Sequence, residues 1–215
     1  MLTLVSLGAT VRTLLGPLAG PVTNRYRDFF INLDDLAVTL ASLAPGAQRV
    51  AEIGTGFGDL ANALLERLPN AVFYGVDVAH PSPGSLYSRP NQAVFTNQTS
   101  SELLTEQGAS FDLVLICDVI HHVPCDKRQA LLQDAMDLTA PGGVLVVKEW
   151  ARDRNLRHLA AYVSDYYISA DKGVRFETDQ AMRRLVDPGQ GWSLVCEARV
   201  PPARNNVLWG FRKDR

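Results

Sequence analysis

Four apolar runs separated by helical patterns constrain the fold of this chain more than any other feature. Each run is continuous rather than alternating and rich in β-branched residues, as expected of a parallel strand covered on both faces. The runs are "RVAEIG" at 49–54, "AVFYGVD" at 71–77, "FDLVLICD" at 111–118 and "GVLVVKEW" at 143–150, with a weaker run, "QAVFTN", at 92–97. Alternation of such strands with helices predicts a doubly wound α/β sheet.

Amphipathic segments between these runs provide the expected helices. The segment 59–69, "DLANALLERLP", has leucines at helical spacing until a proline ends the pattern. The segment 125–143 repeats this design, with Asp126 expected to cap the helix and "APGG" expected to end it. Two extended segments, 192–200 and 205–213, are separated by the turn-prone "PPARN" and predict an antiparallel hairpin at the sheet edge.

The composition is that of an ordinary globular protein and argues against polymer or membrane partners. The chain has 215 residues, 47% of them hydrophobic and 20% charged, so one domain with a sizeable core is expected. A net charge of -2 gives no basic surface for nucleic acid. The cysteines Cys117, Cys125 and Cys196 have no CxxC spacing, which favours reduced thiols, a cytoplasmic location and no metal site.

The N-terminal segment is apolar, but it lacks the pattern of a targeting or membrane-spanning sequence. It has no basic start, and Arg12 interrupts it before the ~20 apolar residues that a membrane span requires. We therefore expect a helical arm or lid over 1–45 and a single domain over 46–215, with a signal peptide as the alternative. The arm is a candidate homodimer contact, a candidate lid, or both.

The stretch "EIGTGFGD" places three glycines on alternate positions directly after the first run. In an open α/β sheet, such a turn lies at the carboxyl end of the strand, where ligands bind. Gly54, Gly56 and Gly58 allow a sharp turn and a close approach of the backbone to a ligand. A dinucleotide site expects glycine or alanine where Asp59 stands, and no Gly-Lys-Ser/Thr follows to make a phosphate-binding P-loop.

Two carboxylates at the ends of the first two runs narrow the choice of ligand. Asp77 stands where acids in nucleotide-binding folds accept ribose hydroxyls. Glu52 precedes the glycine turn, where a carboxylate opposes an anionic ligand and favours a cationic one. S-adenosylmethionine carries a ribose, an amino group and a sulfonium, and it has no phosphate. The two acids therefore predict this nucleoside as the cofactor.

Four segments together resemble the motifs of class I S-adenosylmethionine-dependent methyltransferases. They are "AEIGTGFG" at 51–58, "VDVAH" at 76–80, "FDLVLICDVIHHVP" at 111–124 and "LTAPGGVLVVKEW" at 138–150. The resemblance implies a Rossmann-like methyltransferase fold, which is a doubly wound α/β sheet of seven strands, mostly parallel, with an antiparallel C-terminal hairpin. It also implies S-adenosylmethionine as cofactor and S-adenosylhomocysteine as product.

The resemblance assigns roles to individual residues around the cofactor. The implied cofactor-binding residues are Glu52, Gly54, Gly56, Gly58, Asp77, Val78, Asn97, Gln98, Cys117 and Asp118. The glutamate and the glycines would line the methionine part, Asp77 the ribose, and the last two residues the sulfonium. The family usually has an acid for the adenine amine where this chain has Asn97 and Gln98, whose amide oxygens accept the same hydrogen bond.

His121, His122 and Glu149 are the candidate catalytic residues. Methyl transfer requires alignment of the acceptor, and a hydroxyl or protonated amine must also lose a proton. Because adjacent side chains of an extended chain point oppositely, at most one histidine is expected to face the site. In the alternative interpretation, one histidine bonds a neighbouring loop, and Glu149 pairs with Lys148 or Arg152 at the surface.

These observations predict methylation of an oxygen or nitrogen of a small, partly aromatic or apolar molecule, with secondary metabolism as the expected context. The acceptor pocket is expected between the N-terminal arm, the loop after His122 and a helical segment around Tyr166. Three alternatives stay open. They are a methyltransferase-like binding module without activity, an NAD(P)-dependent oxidoreductase, and a ribose methyltransferase of RNA, which would require a basic face.

Overall fold

Seven strands and five α-helices lie in the part of the chain that the structure, a computed structural model, describes: residues 32–89, 91–150, 177–201 and 206–215. The strands are β1 (Arg49–Ile53), β2 (Val72–Val76), β3 (Ala93–Thr96), β4 (Phe111–Cys117), β5 (Thr139–Trp150), β6 (Trp192–Val200) and β7 (Asn206–Lys213). The helices are α1 (Leu33–Leu43), α2 (Asp59–Leu65), α3 (Ser100–Gln107), α4 (Cys125–Leu138) and α5 (Asp179–Val186), and a short 3-10 helix, Ile120–His122, follows β4.

The strands form one sheet in the order β3-β2-β1-β4-β5-β7-β6. Strands β1 to β5 pair in parallel, and β7 is antiparallel to both β5 and β6. The predicted fold class, a doubly wound and mostly parallel seven-stranded sheet with an antiparallel C-terminal hairpin, is therefore confirmed. The strand order reverses beside β1, so the carboxyl ends of β1, β2 and β4 meet at the switch point where such folds bind ligands.

Two details predicted for the region around α4 are wrong. The helix begins at Cys125 with Pro124 in the N-cap position, and no side chain caps it, so Asp126 lies in the first turn instead. Because proline fixes the backbone just before the first helical residue, the helix starts earlier than expected. The "APGG" segment does follow the end of the helix, but Thr139 already pairs with Phe111, and β5 begins there rather than at 143.

Alternating side chains divide the core into two layers, one on each face of the sheet. On the first face, Val50, Leu115 and Val146 pack with leucines of α1 and α2. On the second face, Ile116 and Val147 pack with residues of α3, α4 and α5. We name these the α1–α2 face and the α4–α5 face. Because neighbouring strand residues point to opposite faces, a polar side chain's place in its strand decides which face it reaches.

Helix α1 belongs to the segment predicted to form an N-terminal arm. The side chain of Asn32 caps it by accepting hydrogen bonds from the backbone N–H groups of Asp34 and Asp35. Leu36 and Leu40 are buried in the same core layer as the leucines of α2. This part of the predicted arm therefore packs as an integral helix of the domain core.

Several predicted features lie outside the described residues. They are residues 1–31 of the arm and the aromatic segment with Tyr162, Tyr166 and Tyr167, which is expected to line the acceptor pocket. The boundary between 45 and 46 stays a prediction. In the described part of the chain, no helix is long and apolar enough to cross a membrane.

Leu40→Ala is expected to lower the free energy of unfolding of the whole domain by about 2–5 kcal/mol, because it removes a fully buried leucine side chain. Val38→Ala, on the exposed side of the same helix, is expected to change it by less than about 0.5 kcal/mol. Urea unfolding followed by circular dichroism measures both. Loss of α1 alone, with an unchanged transition for the sheet, would show that this helix is a separate arm.

Candidate functional site

The glycine turn after β1 is held against β2 and borders an open position. The backbone N–H groups of Gly54 and Thr55 donate to Val76 O at 2.8 and 3.1 Å. Gly54 and Gly56 have φ values of 77° and 52°, which side chains with a Cβ disfavour. A Cβ on Gly54 would lie 2.3 Å from Val119 Cγ2, whereas a Cβ on Gly56 would meet no atom within 4 Å. Gly54 is thus needed for close packing, and Gly56 borders open space.

Glu52 lies below this turn as a buried carboxyl group that takes part in none of the ion pairs between described residues. Its only side-chain partner there is Thr55, whose Oγ1 donates to Oε2 at 2.7 Å. Burial raises the pKa of Glu52 to about 8; the Thr55 hydrogen bond opposes this rise, and the negative charges of Asp59 and Asp77 add to it. A carboxyl group in this state is ready to ionise when a cation binds beside it.

Asp77 organises the loop that follows β2. Its Oδ2 accepts a hydrogen bond from Gly56 N at 2.9 Å, and its Oδ1 accepts from Ala79 N and His80 N, both at 2.8 Å. A carboxylate has about four acceptor sites, so about one stays available, on Oδ2. In this arrangement Asp77 can accept one ribose hydroxyl, rather than the two expected, unless the loop releases an N–H group.

The two amides that follow β3 are not equivalent. Gln98 uses both ends of its side chain, since Oε1 accepts from Thr96 Oγ1 at 2.8 Å and Nε2 donates to Glu106 Oε1 at 2.6 Å. Asn97 donates from Nδ2 to two carbonyl oxygens of the loop after β2, and no described residue donates to its Oδ1. Asn97 is therefore the better candidate for the adenine amine. Val78, 64% exposed, lies at the same edge of the sheet.

A buried ion pair joins the ends of β4 and β5 on the α1–α2 face. Lys148 is fully buried, and its Nζ lies 2.7 and 2.5 Å from the two carboxylate oxygens of Asp118. Asp118 is 29% exposed and has a left-handed φ of 57°. Burial raises the pKa of the neighbouring Cys117 thiol, and the negative charges of Glu52 and Asp118 raise it further. Cys117 therefore lies as a neutral thiol between Glu52 and the ion pair.

Glu149 and His121 form a second pair, on the α4–α5 face. His121 Nδ1 lies 2.6 Å from Glu149 Oε2, and both side chains are buried. The other oxygen, Oε1, accepts from Val119 N at 2.8 Å and Ile120 N at 2.6 Å. Burial alone raises the pKa of Glu149, but the charge and hydrogen bond of His121, the Ile120 N–H and the Lys148 charge together lower it. Glu149 therefore holds the loop after β4 as an ionised carboxylate.

The geometry changes the interpretation of the predicted catalytic residues. His121 and His122 belong to a 3-10 helix rather than an extended segment, so their rings lie 4.1 Å apart instead of pointing oppositely. Glu149 is 1% exposed, so the alternative of a surface pair with Lys148 or Arg152 is wrong. The structure brings His121 and Glu149 together but buries both, and His122 is exposed. Catalytic roles for these three residues stay predictions.

The ion pair of Lys148 with Asp118 was not predicted, although the sequence carries a signal for it. In "GVLVVKEW", a lysine occurs inside a run expected to be covered on both faces. A lysine in such a strand is buried and requires a carboxylate from an adjacent strand end. Asp118, directly after β4, satisfies that requirement. The close packing of Val119 on Gly54 has no comparable signal, because it depends on the shape of the turn.

Comparison with known proteins identifies methyltransferases as proteins similar to this chain. Residues 51–145 match a protein family described as "Methyltransferase domain". The matched segment, which is less than half of the chain, is similar to that family. A search of curated proteins gives no match.

Solved structures of methyltransferases share the fold of this chain. The Burkholderia thailandensis 1,6-didemethyltoxoflavin-N1-methyltransferase, with bound 1,6-didemethyltoxoflavin and S-adenosylhomocysteine, is 20% identical over 96% of this chain and 88% of that one, with a TM-score of 0.66. An O-methyltransferase family protein from the same organism is 15% identical over 95% and 58%, with a TM-score of 0.68. Human N-acetylserotonin methyltransferase, in complex with S-adenosylmethionine, is 16% identical over 85% and 54%, with a TM-score of 0.62. The chain spans little more than half the length of the last two proteins, and at these identities the likeness shows the fold alone.

Gly54→Ala is expected to destabilise the domain by roughly 2–4 kcal/mol, because the new Cβ adds left-handed strain and a clash with Val119. Val119→Ala removes the methyl carbons that this Cβ would strike. The double variant is therefore expected to lose less stability than the sum of the two single changes. A double-mutant cycle from urea unfolding measures the coupling, and strictly additive losses would contradict the close packing.

Proposed function

We propose that the protein is an S-adenosylmethionine-dependent methyltransferase that methylates an oxygen or nitrogen of a small molecule. One observation carries this proposal. The open position at Gly56 lies between a buried carboxyl group, Glu52, and the carboxylate of Asp77, at the carboxyl ends of β1 and β2. This arrangement fits a ligand that carries both a cation and a ribose. Methyltransferases of the same fold, with S-adenosylhomocysteine or S-adenosylmethionine bound, support the proposal.

The residues of the site fit that cofactor group by group. Glu52 would ionise against its ammonium group, Asp77 would accept a ribose hydroxyl at the remaining site on Oδ2, and Asn97 Oδ1 would accept from the adenine amine. The other residues proposed to line it are Gly54, Gly56, Gly58, Val78, Gln98 and Cys117, whereas the carboxylate of Asp118, also predicted from the sequence, is bonded to Lys148 and is not assigned to the cofactor. When bound, the cofactor supplies an electrophilic methyl group, and the chain's own groups align the acceptor and exclude water.

A nicotinamide-dependent oxidoreductase is a weaker interpretation of the same geometry. A pyrophosphate at the turn would lie between the acidic side chains of Glu52 and Asp77. Asp59 is the first residue of α2 and puts a third acid at the helix N-terminus, where a phosphate would bind. A binding module without activity is distinguished by assay, since it would bind S-adenosylmethionine and release no S-adenosylhomocysteine. A ribose methyltransferase of RNA would need a basic face, which a net charge of -2 does not favour.

Among the three predicted catalytic residues, the contacts favour different roles. Glu149 has both oxygens occupied by His121 and by backbone N–H groups, so we assign this pair to bracing the loop after β4. His122 is exposed and stays the histidine that an acceptor can reach. Homodimer formation through 1–45, a cytoplasmic location and a role in secondary metabolism stay predictions; sedimentation velocity tests the first.

Gly56→Ala is expected to fold but to bind S-adenosylhomocysteine at least about tenfold more weakly, a change of about 1.4 kcal/mol. The new Cβ meets no protein atom, so it would occupy the space proposed for the cofactor. Gly108→Ala is the matched control, because Gly108 has a similarly left-handed φ of 62°, a Cβ there also meets no described atom within 4 Å, and it lies after α3. Isothermal titration calorimetry measures both affinities. An unchanged affinity of the Gly56 variant would contradict the proposed placement.

Binding of S-adenosylhomocysteine is expected to strengthen as the pH rises from about 6 to about 8 and then to level off. Below a pKa of about 8, the Glu52 carboxyl group of the free protein carries a proton. The ligand's ammonium pairs with the carboxylate, so binding below that pH releases the proton. Calorimetry in buffers of different ionisation enthalpy measures this release. Affinity that does not change over this range would argue against Glu52 as the ammonium's partner.

Two variants provide the controls for this pH dependence. Glu52→Gln is expected to abolish proton release, whereas Glu66→Gln, an exposed carboxylate after α2, is expected to keep it. The raised pKa also makes the free wild-type protein less stable as the pH rises from about 4.5 through about 8, because folded Glu52 holds its proton more tightly than unfolded Glu52. Glu52→Gln is expected to remove that loss of stability.

A further inference from the structure

The ion pair of Asp118 with Lys148 is energetically unfavourable to bury, and the proposed cofactor contacts do not require it. Burial of an ammonium group has a large desolvation cost, and an apolar residue at that position would often be as stable. The left-handed backbone of Asp118 adds strain. Two unfavourable features at the same strand end suggest that the pair has a role beyond folding.

The carboxylate of Asp118 is held in place by Lys148 but retains capacity for a ligand. Lys148 Nζ bonds both carboxylate oxygens, and a carboxylate has about four acceptor sites. The side chain of Asp118 is 29% exposed, whereas that of Lys148 is fully buried. The buried ammonium group of Lys148 therefore fixes the orientation of the Asp118 carboxylate. The remaining acceptor sites belong to a side chain that is partly exposed.

A second observation on the same face also points to a polar ligand. Asn206 lies opposite Trp150 in the pairing of β5 with β7 and is fully buried. Neither Nδ2 nor Oδ1 of Asn206 has a hydrogen-bond partner among the residues that the structure describes. A buried amide without partners is unfavourable unless a ligand supplies them. The Trp150 ring, 5.7 Å from Lys148 Nζ, provides an apolar wall beside these polar groups.

Resting on the proposed function, we propose that Asp118 binds the reacting hydroxyl group of the acceptor, that Lys148 is its positioning residue, and that the acceptor is a small aromatic hydroxyl compound. Asp118 follows Cys117, and β4 pairs directly with β1 up to Ile53 and Ile116, so the ion pair at the end of β4 lies beside the glycine turn that follows β1. Trp150 would contact the aromatic body, and Asn206 would bind a second polar substituent. The His121–Glu149 pair lies on the opposite face and has no part in this contact.

The proton balance of the reaction is satisfied by Asp118. A lone pair of the acceptor oxygen forms the new bond to the methyl carbon, while the bond from that carbon to sulfur breaks and its electron pair stays on sulfur. The hydroxyl proton passes to a carboxylate oxygen of Asp118 and then to water, and Lys148 keeps its protons. Because an oxygen that gains a methyl group becomes strongly acidic, a carboxylate oxygen accepts this proton readily.

Fluorine NMR with two matched probes tests the proposal without knowledge of the natural acceptor. 4-Fluorophenol has the hydroxyl donor, and 4-fluoroanisole is the same ring with the donor methylated. The wild-type protein saturated with S-adenosylhomocysteine is expected to bind the phenol at least about tenfold more tightly, as a hydrogen bond to a charged group implies. When S-adenosylmethionine replaces S-adenosylhomocysteine, the fluorine resonance of 4-fluoroanisole is expected to grow, because this compound is the methylated product of 4-fluorophenol.

Asp118→Asn is expected to weaken phenol binding about tenfold and to abolish the preference over anisole. Its affinity for S-adenosylhomocysteine is expected to stay within about threefold of wild type, a difference of less than about 1 kcal/mol. Lys148→Met is expected to reduce the preference as well, since the carboxylate loses its fixed orientation. Asp126→Asn, an exposed acid in the first turn of α4, is the control and is expected to behave as wild type.

The two possible failures are distinguishable. Normal binding of S-adenosylhomocysteine with equal affinity for the two probes, or with no binding of either, overturns this inference and leaves the proposed function intact. An Asp118→Asn variant that keeps the preference overturns it as well. Absence of S-adenosylhomocysteine binding to the wild type overturns the proposed function itself. Should Lys148→Met fail to fold, the two probes on wild type and on Asp118→Asn still decide the question.

Discussion

Buried charge at the carboxyl edge of a covered sheet must be neutralised inside the protein, and this constraint arranges the whole site. Lys148 and Glu149 are consecutive residues of β5, so the pleat directs them to opposite faces. Each finds its partner in the segment that leaves β4: Asp118 on the α1–α2 face and His121 on the α4–α5 face. The left-handed turn at Asp118 lets one short segment serve both faces. The two pairs therefore hold the loop after β4 from both sides.

Glu52 stands apart from these two pairs because its carboxyl group has no such partner in the described residues. Thr55 gives it one hydrogen bond, which does not offset burial, and its pKa rises to about 8. Such a group is unfavourable in a finished core but suitable in a site that awaits a cation. Asp118 and Glu149 each pair with a basic side chain, and the absence of such a pair at Glu52 among the described residues favours Glu52 as the group proposed to meet a cation.

The sequence was sufficient for the architecture because the signals for it are local. Continuous apolar runs identify strands covered on both faces, and the glycine turn with its two acids predicts the edge of the sheet at which a ligand would bind. The contacts of His121, Lys148 and Glu149 could not be assigned this way, because they depend on how the chain turns after β4. An extended geometry was assumed there, whereas the 3-10 helix places both histidine rings together. The start of α4 was misplaced for a related reason, since Pro124 sets the backbone without any side-chain cap.

Charge balance on the α1–α2 face keeps the proposed cofactor side electrostatically independent of the proposed acceptor side. In the free protein, a protonated Glu52 is neutral, and the charges of Asp118 and Lys148 cancel each other. A cation that binds to ionised Glu52 leaves that balance unchanged, so neither side needs to rearrange when the other is occupied. Cys117 lies between them with a thiol whose raised pKa keeps it neutral, and it adds no charge to the balance. An acid or a lysine at that position would couple the two sides electrostatically, whereas a small neutral group keeps them independent.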